Sequence, residues 1–263
     1  MNRLLALVAF AALGTGCVVE ETCDVRISWD AFQPADGSQP ISTCAGARVD
    51  SIDVWVDGGR APRVSVPCDG RDFVDFAVSP GHHFYSVEGI EDGRIAYRHA
   101  FEADDSCGLV EFVTTPAAGR LDLQYLFYDN GQPLPAEQQV CAWDDSLLFL
   151  SVYDSIADTY AVPGDAAYEC GGPFVLELPT GFYTLDWMEE TGPAPDYTIA
   201  AADCTDRDFD IEPGARTPVP VNLDVNATTS CADTAFLRSG DGRAGAPPKP
   251  LAGPAPVTKA RPN

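Results

Sequence analysis

Positive charge is scarce in this chain of 263 residues: 16 lysines and arginines stand against 40 aspartates and glutamates, giving a net charge of −24. Such a chain repels the phosphates of nucleic acids and anionic lipid surfaces, so we expect no nucleic-acid partner. An acidic surface usually serves only to keep a protein soluble and to make its copies repel one another. Calcium loading and a basic partner are the alternatives.

Regular helical patterns are also missing. No stretch keeps an apolar stripe at helical spacing for three turns, and Gly or Pro interrupts the chain every eight to twelve residues. Val25, Ile27 and Trp29 alternate with polar neighbours, and similar alternation returns at residues 52–56 and 174–178. A period of two is typical of antiparallel strands with one face in a core. The sequence therefore predicts an all-β fold.

Catalytic motifs are absent from the sequence as well. There is no G-x-S-x-G, no H-E-x-x-H and no Gly-rich phosphate loop, and nothing singles out two carboxylates as a glycosidase pair. His82 and His83 are adjacent, so on a strand they point to opposite faces and make a poor chelating pair. We predict no catalytic site, no metal site and no cofactor.

The first residues have the layout of an export signal. Arg3 precedes an apolar run over residues 4–13, and the small residues 14–16 follow before Cys17. The run is shorter than the about 20 apolar residues of a membrane-spanning helix. Residues 1–16 are therefore a predicted signal peptide.

Small residues followed directly by cysteine resemble the lipobox of bacterial lipoproteins, although Gly14 stands where that motif usually has Leu, Ala or Val. The resemblance implies a lipid on Cys17, which would anchor the protein to a membrane. Val18 after the cysteine implies the outer membrane, on its periplasmic or surface face. Ordinary cleavage and a soluble exported protein is the alternative.

The other eight cysteines suit a disulfide framework, because their number is even and the predicted compartment is oxidising. None lies in a C-x2-C or C-x4-C pair, which disfavours zinc. Cys44 and Cys107 recur as Cys141 and Cys204, both at a spacing of 97 residues. This recurrence indicates an internal duplication.

Further landmarks follow in the same order in both halves. Asp57 matches Asp154 at the end of a strand, and Cys68 matches Cys170. We predict two tandem disulfide-stapled antiparallel β-sandwich domains. The predicted segments are a tether at 17–23, domains at 24–119 and 120–232, and a tail at 233–263. One alternative stays open, because residues 120–128 read either as the last strand of the first copy or as the first strand of the second.

Two strings carry a family resemblance. PGHHFYSV at residues 80–87 matches LPTGFYTL at residues 178–185, each a turn followed by a strand with an aromatic residue. They resemble the PG-x-Y strand of transthyretin-like and carboxypeptidase-regulatory-like sandwiches, which occur in tandem in bacterial surface proteins. An immunoglobulin-like sandwich is the alternative. Either resemblance implies a binding or spacer module without catalytic residues.

Equivalent domains should have equivalent disulfides, and the remaining cysteines flank the two domains. This reasoning favours one pair within each domain and one that attaches each terminus to its own domain. The predicted pairs are Cys44–Cys68, Cys141–Cys170, Cys23–Cys107 and Cys204–Cys231.

The predicted tail is rich in Gly, Pro and Ala, and it has no acidic residue after Asp241. It offers too little apolar surface to offset the entropy of ordering, so we predict disorder. Its basic charge suggests docking on the acidic body or on an acidic partner. A solvated tail is the alternative that we favour from sequence.

Trp55 and Trp187 are the candidate ligand-facing residues, because they lie opposite the apolar sets of their strands or in mixed strands. The sequence thus predicts an envelope lipoprotein that acts as a non-catalytic binding or structural module, with an envelope protein or a glycan as partner. The alternatives are a hydrolase using surface carboxylates and a calcium-dependent adhesin module. Its candidate calcium ligands are Asp57, Asp154, Asp158 and the pairs Asp104-Asp105 and Asp144-Asp145.

Overall fold

The computed structural model describes residues 22–105, 109–193 and 197–231. The predicted signal peptide, Cys17, Cys107 and the predicted tail lie outside these ranges. Within them, strands dominate and the all-β prediction is confirmed. None of the helices in the described ranges has the length and apolar character needed to cross a bilayer.

Residues 23–114 form the first sandwich. Its elements are β1 (Cys23–Trp29), α1 (Cys44–Ala47), β2 (Ser51–Val56), β3 (Val64–Pro67), β4 (Phe73–Val78), β5 (Gly81–Glu91), β6 (Arg94–Asp105) and β7 (Leu109–Thr114). One sheet has the strand order β4-β1-β7 and the other has the order β3-β2-β5-β6. Neighbouring strands are antiparallel except β1 and β7, which run parallel.

The second sandwich repeats this arrangement. Its strands are β8 (Ala118–Asp129), β9 (Gln132–Pro133), β10 (Leu147–Asp154), β11 (Thr159–Val162), β12 (Ala167–Glu169), β13 (Phe174–Pro179), β14 (Gly181–Thr191), β15 (Ile199–Asp203), β16 (Arg207–Ile211) and β17 (Arg216–Asp224), with a 3-10 turn at Ala136–Gln138. β8 lies between antiparallel β13 and parallel β17, as β1 lies between β4 and β7. β10 and β14 correspond to β2 and β5, while β15 and β16 together replace β6.

The shared topology supports the predicted duplication and locates its junction. Residues 120–128 belong to β8, the first strand of the second sandwich, while β7 completes the first. In the described ranges, no strand is therefore shared between the two copies. A bridge between Ala202 and Asp224 links the two sheets of the second sandwich along one edge.

Strand register corrects one detail of the repeat. Val56 lies opposite Tyr85 in the first copy, and Asp154 lies opposite Tyr183 in the second. Asp154 is thus the equivalent of Val56, and its predicted match with Asp57 is wrong by one residue. The cause is one additional residue between the cysteine and this strand in the second copy.

Each sandwich has its own hydrophobic core. In the first, the alternate β1 residues Val25, Ile27 and Trp29 share one buried cluster with Ile52 and Val54 of β2. In the second, alternate residues of β13 are buried in the same way: Phe174, Leu176 and Leu178. Full burial of one such side chain contributes about 1.5–3 kcal/mol, so the alternation read from the sequence is what stabilises both sandwiches.

Three disulfides are present in the described ranges: Cys44–Cys68, Cys141–Cys170 and Cys204–Cys231. The first two occupy equivalent positions in the two sandwiches, and the third attaches the segment after β17 to the end of β15. These are three of the four predicted pairs. Cys23 is fully buried at the start of β1. Its predicted bond to Cys107 stays a prediction, because Cys107 lies outside the described residues.

A buried arginine connects the two sandwiches. Tyr97 packs on the core of the first sandwich, so its neighbour Arg98 points away from that core. The Arg98 side chain is 0% exposed and binds Glu88 of β5 at 2.9 Å and Asp154 of β10 at 2.8 Å. Burial raises the pKa of Glu88, and the charge of Arg98 opposes this rise. Since an unpaired buried charge is costly, the three groups hold the sandwiches together.

Main-chain contacts complete this joint. The N–H of Arg98 and the N–H of Thr180 both donate to the carbonyl oxygen of Ala117, at 2.9 and 3.1 Å. Gly37 and Gly214 lie so close that a Cβ on either would stand 2.8 Å from the backbone of the other. Both have a positive φ, which favours glycine. The turns of the two sandwiches are therefore in direct contact.

Candidate binding groove

A groove with a cavity volume of about 810 Å³ lies on the second sandwich. Its walls are residues 122–127 of β8, residues 139–144 and residues 170–173, with Arg216 at one end. Arg216 pairs with Asp122 at 3.3 Å on the rim. Pockets of this size accept a small molecule or a short extended segment.

The β8 wall presents main-chain groups to the groove. Its residues 118–123 pair with β13, and residues 128–129 pair with β9. The N–H of Arg120 donates to Ala215 next to β17, and successive strand residues direct their N–H and C=O to alternate sides. Odd-numbered residues of β8 therefore face away from β17. Tyr125 is such a residue, and it lies between the two paired segments.

A side chain takes the place of a partner strand at Phe127. The N–H of Phe127 donates to Oε1 of Gln139 at 2.7 Å, while Nε2 of Gln139 donates to the carbonyl oxygens of Phe127 at 3.0 Å and Leu134 at 2.8 Å. A primary amide can do this because it carries both donors and acceptors, like a peptide. Among the residues that the structure describes, no strand pairs with Tyr125 on this edge.

Exposed apolar side chains line the same groove. Val140 is 64% exposed, and Leu126 and Trp143 are also exposed. The Tyr125 hydroxyl accepts the N–H of Gly171 at 3.0 Å, so the tyrosine ring is fixed in the wall. Three exposed apolar groups around main-chain donors and acceptors are the usual composition of a recognition site.

The disulfide Cys141–Cys170 ties the two loop walls together. Behind it, the buried Glu190 carboxylate accepts the N–H of Ala142 at 2.7 Å. Ligand atoms of Cys141, Cys170 and Glu190 lie within 4.8 Å of one another. The two sulfurs are bonded to each other, however, and are not the thiolates that bind metals. This cluster therefore supports the groove and is not a metal centre.

The two tryptophans predicted to face a ligand do not line the groove. Trp187 is 6% exposed and packs with Ala202 and Cys231, so it does not face solvent. The segment after β17 covers it, which strand alternation could not reveal. Trp55 is half-buried, and its indole N–H is buried without a hydrogen-bond partner in the described part of the chain. Trp143 is the tryptophan that the structure places in the groove wall.

The histidines occupy opposite faces of β5, as their adjacency predicts. His83 is buried, and its Nδ1 lies 2.6 Å from the carboxylate of Asp57. His82 is exposed and lies 3.0 Å from Asp104. Asp104 and Glu102 raise the pKa of His82, and its partial desolvation opposes them. The structure does not bring the two rings together.

The candidate calcium ligands are spread over several contacts. Asp57 binds His83, Asp154 binds Arg98, and Asp158 accepts the hydroxyl of Tyr153. Asp144 and Asp145 are exposed beside the groove. The three bound carboxylates thus serve different parts of the fold, and the described structure does not gather them into one site.

Sequence reasoning missed Tyr125 and Gln139, which define the groove edge. Neither residue type is unusual in its local pattern. The gap exists because β13 begins only at Phe174, and that start depends on tertiary pairing. The Gly171-Gly172-Pro173 string is the one local signal that a strand could not extend further upstream.

No protein-family model matches the chain, and no curated protein matches its sequence. Among solved structures, similar ones include GBS52, the minor pilin in Streptococcus agalactiae, with 12% identity over 79% of this chain and 98% of that chain and a TM-score of 0.36. The streptococcal ancillary pilin has 15% identity over 77% of this chain and 62% of that one, with a TM-score of 0.29. A leucine-rich repeat protein from Bacteroides thetaiotaomicron has 11% identity over 78% of this chain, which spans only 27% of that protein, with a TM-score of 0.29. These values are too low for any property of those proteins to be transferred to this chain.

Proposed function

We propose that this chain is a non-catalytic binding module of the cell envelope, anchored to the outer membrane through Cys17. Its groove would hold an extended segment of an envelope protein. The observation that carries this proposal is the β8 edge at Tyr125, which faces a groove lined by exposed apolar side chains. A polypeptide ligand fits this edge because its own N–H and C=O groups can pair with the N–H and C=O of Tyr125, as in the addition of a β-strand.

An extended peptide laid along β8 would exchange hydrogen bonds with Tyr125, each contributing about 1 kcal/mol net. Its alternate side chains would contact Leu126, Val140 and Trp143, whose burial adds roughly 25 cal/mol per Å². Together these terms favour a modest affinity with side-chain selectivity.

The position of the groove suits an anchored module. β1 runs from Cys23 towards the joint, where the N–H of Gln33 donates to Pro116. β8 leaves the joint at Ala118 and lines the groove with residues 122–127. The start of β1 at Cys23 and the groove therefore lie on opposite sides of the joint, so a lipid attached six residues before Cys23 would leave the groove accessible.

Photo-crosslinking in intact cells tests the groove. Benzoylphenylalanine is placed at Val140 and, as a control, at Val113 of the first sandwich, which is 71% exposed. We expect an adduct with a defined protein from position 140 only. The segment mapped in that adduct, made as a peptide, should bind the wild type roughly ten-fold more tightly than Trp143→Ala. Equal binding to both would contradict the proposal.

A separate experiment tests the anchor. Cells expressing the wild type or Cys17→Ser are labelled with an alkyne fatty acid. We expect label on the wild type and none on the variant, since the thiol is the predicted acceptor. Equal labelling of the two would contradict lipidation at Cys17 without touching the groove.

A further inference from the structure

A second surface lies on the second sandwich, on the sheet that contains β10, β11, β14 and β16. It is the side of that sheet that faces away from the core. Tyr183 and Leu185 of β14 point into the core, so Phe182 and Thr184 point outward. We call this surface the outer face. Its outward residues on β10, β11, β14 and β16 are Tyr153, Tyr160, Phe182, Thr184, Asp186, Asp208 and Asp210.

Aromatic rings form one half of the outer face. Tyr153 and Tyr160 meet edge to face, with ring centroids 5.4 Å apart. The hydroxyl of Tyr153 donates to Asp158, which raises the pKa of Tyr153 to about 12. Phe182 is 61% exposed. The faces of such rings attract cations.

Carboxylates form the other half. Asp186 is half-buried, and burial raises its pKa. Ser151 donates to it at 3.1 Å. Asp208 accepts the hydroxyl of Thr184 at 2.7 Å. The outward positions of these four strands carry no lysine or arginine in the described ranges. This face therefore has uncompensated negative charge beside aromatic rings.

The chain leaves the described structure from this same face. Trp187 follows Asp186 in β14 and packs with Ala202 and Cys231. The disulfide Cys204–Cys231 fixes the segment there, and the N–H of Cys231 donates to Glu189 at 3.1 Å. Cys231, the last described residue, is thus fixed at the edge of the outer face.

The segment that follows has the complementary charge. It contains Arg238, Arg243, Lys249, Lys259 and Arg261, and no acidic residue after Asp241. An extended chain spans about 3.3 Å per residue, so the first two arginines can lie within roughly 25 to 40 Å of Cys231. A tether this short gives an effective concentration in the millimolar range, so even a weak site would be occupied.

We propose that residues 238–261 dock on the outer face of their own chain. Their guanidinium and ammonium groups lie against the rings of Tyr160 and Phe182 and pair with the carboxylates of Asp186, Asp208 and Asp210. This contact is independent of the groove and of the proposed function. A docked segment covers the aromatic residues until a competing cation displaces it.

Carbodiimide coupling of the full chain tests this docking. The reagent joins an amine to a carboxylate as an amide with loss of water, and Lys249 and Lys259 are the only lysines of the chain. Each cross-link that mass spectrometry assigns to one of these two lysines therefore reports where the segment lies. We expect the majority to reach Asp186, Asp208 or Asp210. Cross-links spread over exposed acids of both sandwiches would overturn the proposal.

A matched pair of variants separates docking from diffuse attraction. Tyr160→Ser with Phe182→Ser leaves the carboxylates in place and should lower the yield of these cross-links roughly five-fold or more. Phe73→Ser removes an exposed ring of the first sandwich and should leave the yield unchanged. An equal effect of both changes, or of neither, would contradict a role of the outer-face rings.

Isotope mixing distinguishes the source of the docked segment. Equal amounts of ¹⁴N and ¹⁵N chains are coupled together. We expect cross-links within chains of one isotope only. Mixed pairs would assign the docked segment to a second copy and overturn docking in the same chain. About 0.5 M NaCl, where the screening length is about 4 Å, should reduce the yield, since the contact is electrostatic.

Discussion

Arg98 of the first sandwich and Asp154 of the second form a two-pronged ion pair, with nitrogen–oxygen distances of 3.0 and 2.8 Å. Neither side chain has appreciable contact with solvent. Glu88 completes the contact from β5. Because a bidentate pair fixes both distance and orientation, the two sandwiches have one defined relative arrangement.

Replacing Arg98 should therefore destabilise the protein strongly. Arg98→Ala leaves Glu88 and Asp154 buried without a cation, and we expect a loss of about 3–5 kcal/mol in the free energy of unfolding, measured with urea. Arg26→Ala, which breaks an exposed pair with Asp75, should cost less than about 1 kcal/mol. Equal losses would contradict the role of the joint. Combining Arg98→Met with Glu88→Gln and Asp154→Asn should recover much of the loss, since no unpaired charge remains.

The contact between Gly37 and Gly214 makes a second prediction. Gly37→Ala should destabilise more than Gly70→Ala, because both glycines have nearly the same φ, 71° and 72°, but only Gly37 faces a neighbour. The conformational penalty is thus matched, and the difference measures the contact. Urea unfolding gives the values, and small-angle scattering should show a changed shape for Gly37→Ala only. Equal stabilities of Gly37→Ala and Gly70→Ala would mean that the contact with Gly214 adjusts to the added methyl group without cost.

The groove disulfide makes a third prediction. Replacing Cys141 and Cys170 by Ser should cost about 3 kcal/mol of stability, and replacing Cys44 and Cys68 should cost a similar amount. Only the disulfide Cys141–Cys170 lines the groove. Crosslinking from position 140 should therefore be lost in the first variant and retained in the second, at a temperature where both are folded. Loss in both would show a general effect of stability.

Gln139 offers a fourth test, with its neighbour as control. Gln139→Leu removes the amide that pairs with Phe127 and should cost about 1–3 kcal/mol, because the N–H of Phe127 and the carbonyl oxygen of Leu134 lose their partner. Gln138→Leu changes an exposed side chain and should be close to neutral. Hydrogen exchange at Phe127 should accelerate in the first variant alone. Unchanged exchange there would contradict the amide's role.

Asp57 makes stability depend on pH. Burial would raise the pKa of this carboxyl, but the N–H of Phe84 and the ring of His83 outweigh it and hold the pKa below its ordinary value. A group with a lowered pKa in the folded state stabilises above its unfolded pKa of about 3.9, and the contribution is lost as the pH falls further. Between pH 5 and pH 3, Asp57→Asn should thus lose less stability than the wild type or exposed Asp69→Asn. Equal losses of stability in the wild type, Asp57→Asn and Asp69→Asn over this pH range would contradict the role of Asp57.

The strands were predictable because apolar residues alternate locally, and the repeat was predictable because cysteines recur. The same alternation places Arg98 on the outer side of β6, where an arginine belongs. Its burial arises only when the second sandwich packs there, and no local pattern encodes that contact. Trp187 illustrates the converse, since the chain after β17 covers a position that alternation leaves open.

The groove was not predictable for a related reason. It is a gap between partners of β8, so it depends on where other strands start and end. Gln139 fills one position of that edge with its side chain, and Tyr125 stays open. Sequence periodicity predicts that residues 120–128 form a strand, but the gap beside Tyr125 depends on where β9 and β13 begin and end.

The parallel pairing of β1 with β7 and of β8 with β17 has a mechanical consequence. A tensile load between a lipid anchor and a ligand in the groove would enter along β1 and leave along β8. β1 is flanked on both sides by β4 and β7, whereas β8 is flanked by β17 over residues 120–128 and by β13 over residues 118–123. The load would therefore act as shear on many hydrogen bonds at once. It would not break them one after another, as happens when two strands are pulled apart from one end. If Cys17 carries the proposed lipid and the groove holds the proposed ligand, this strand pairing would resist extension of the protein between the two.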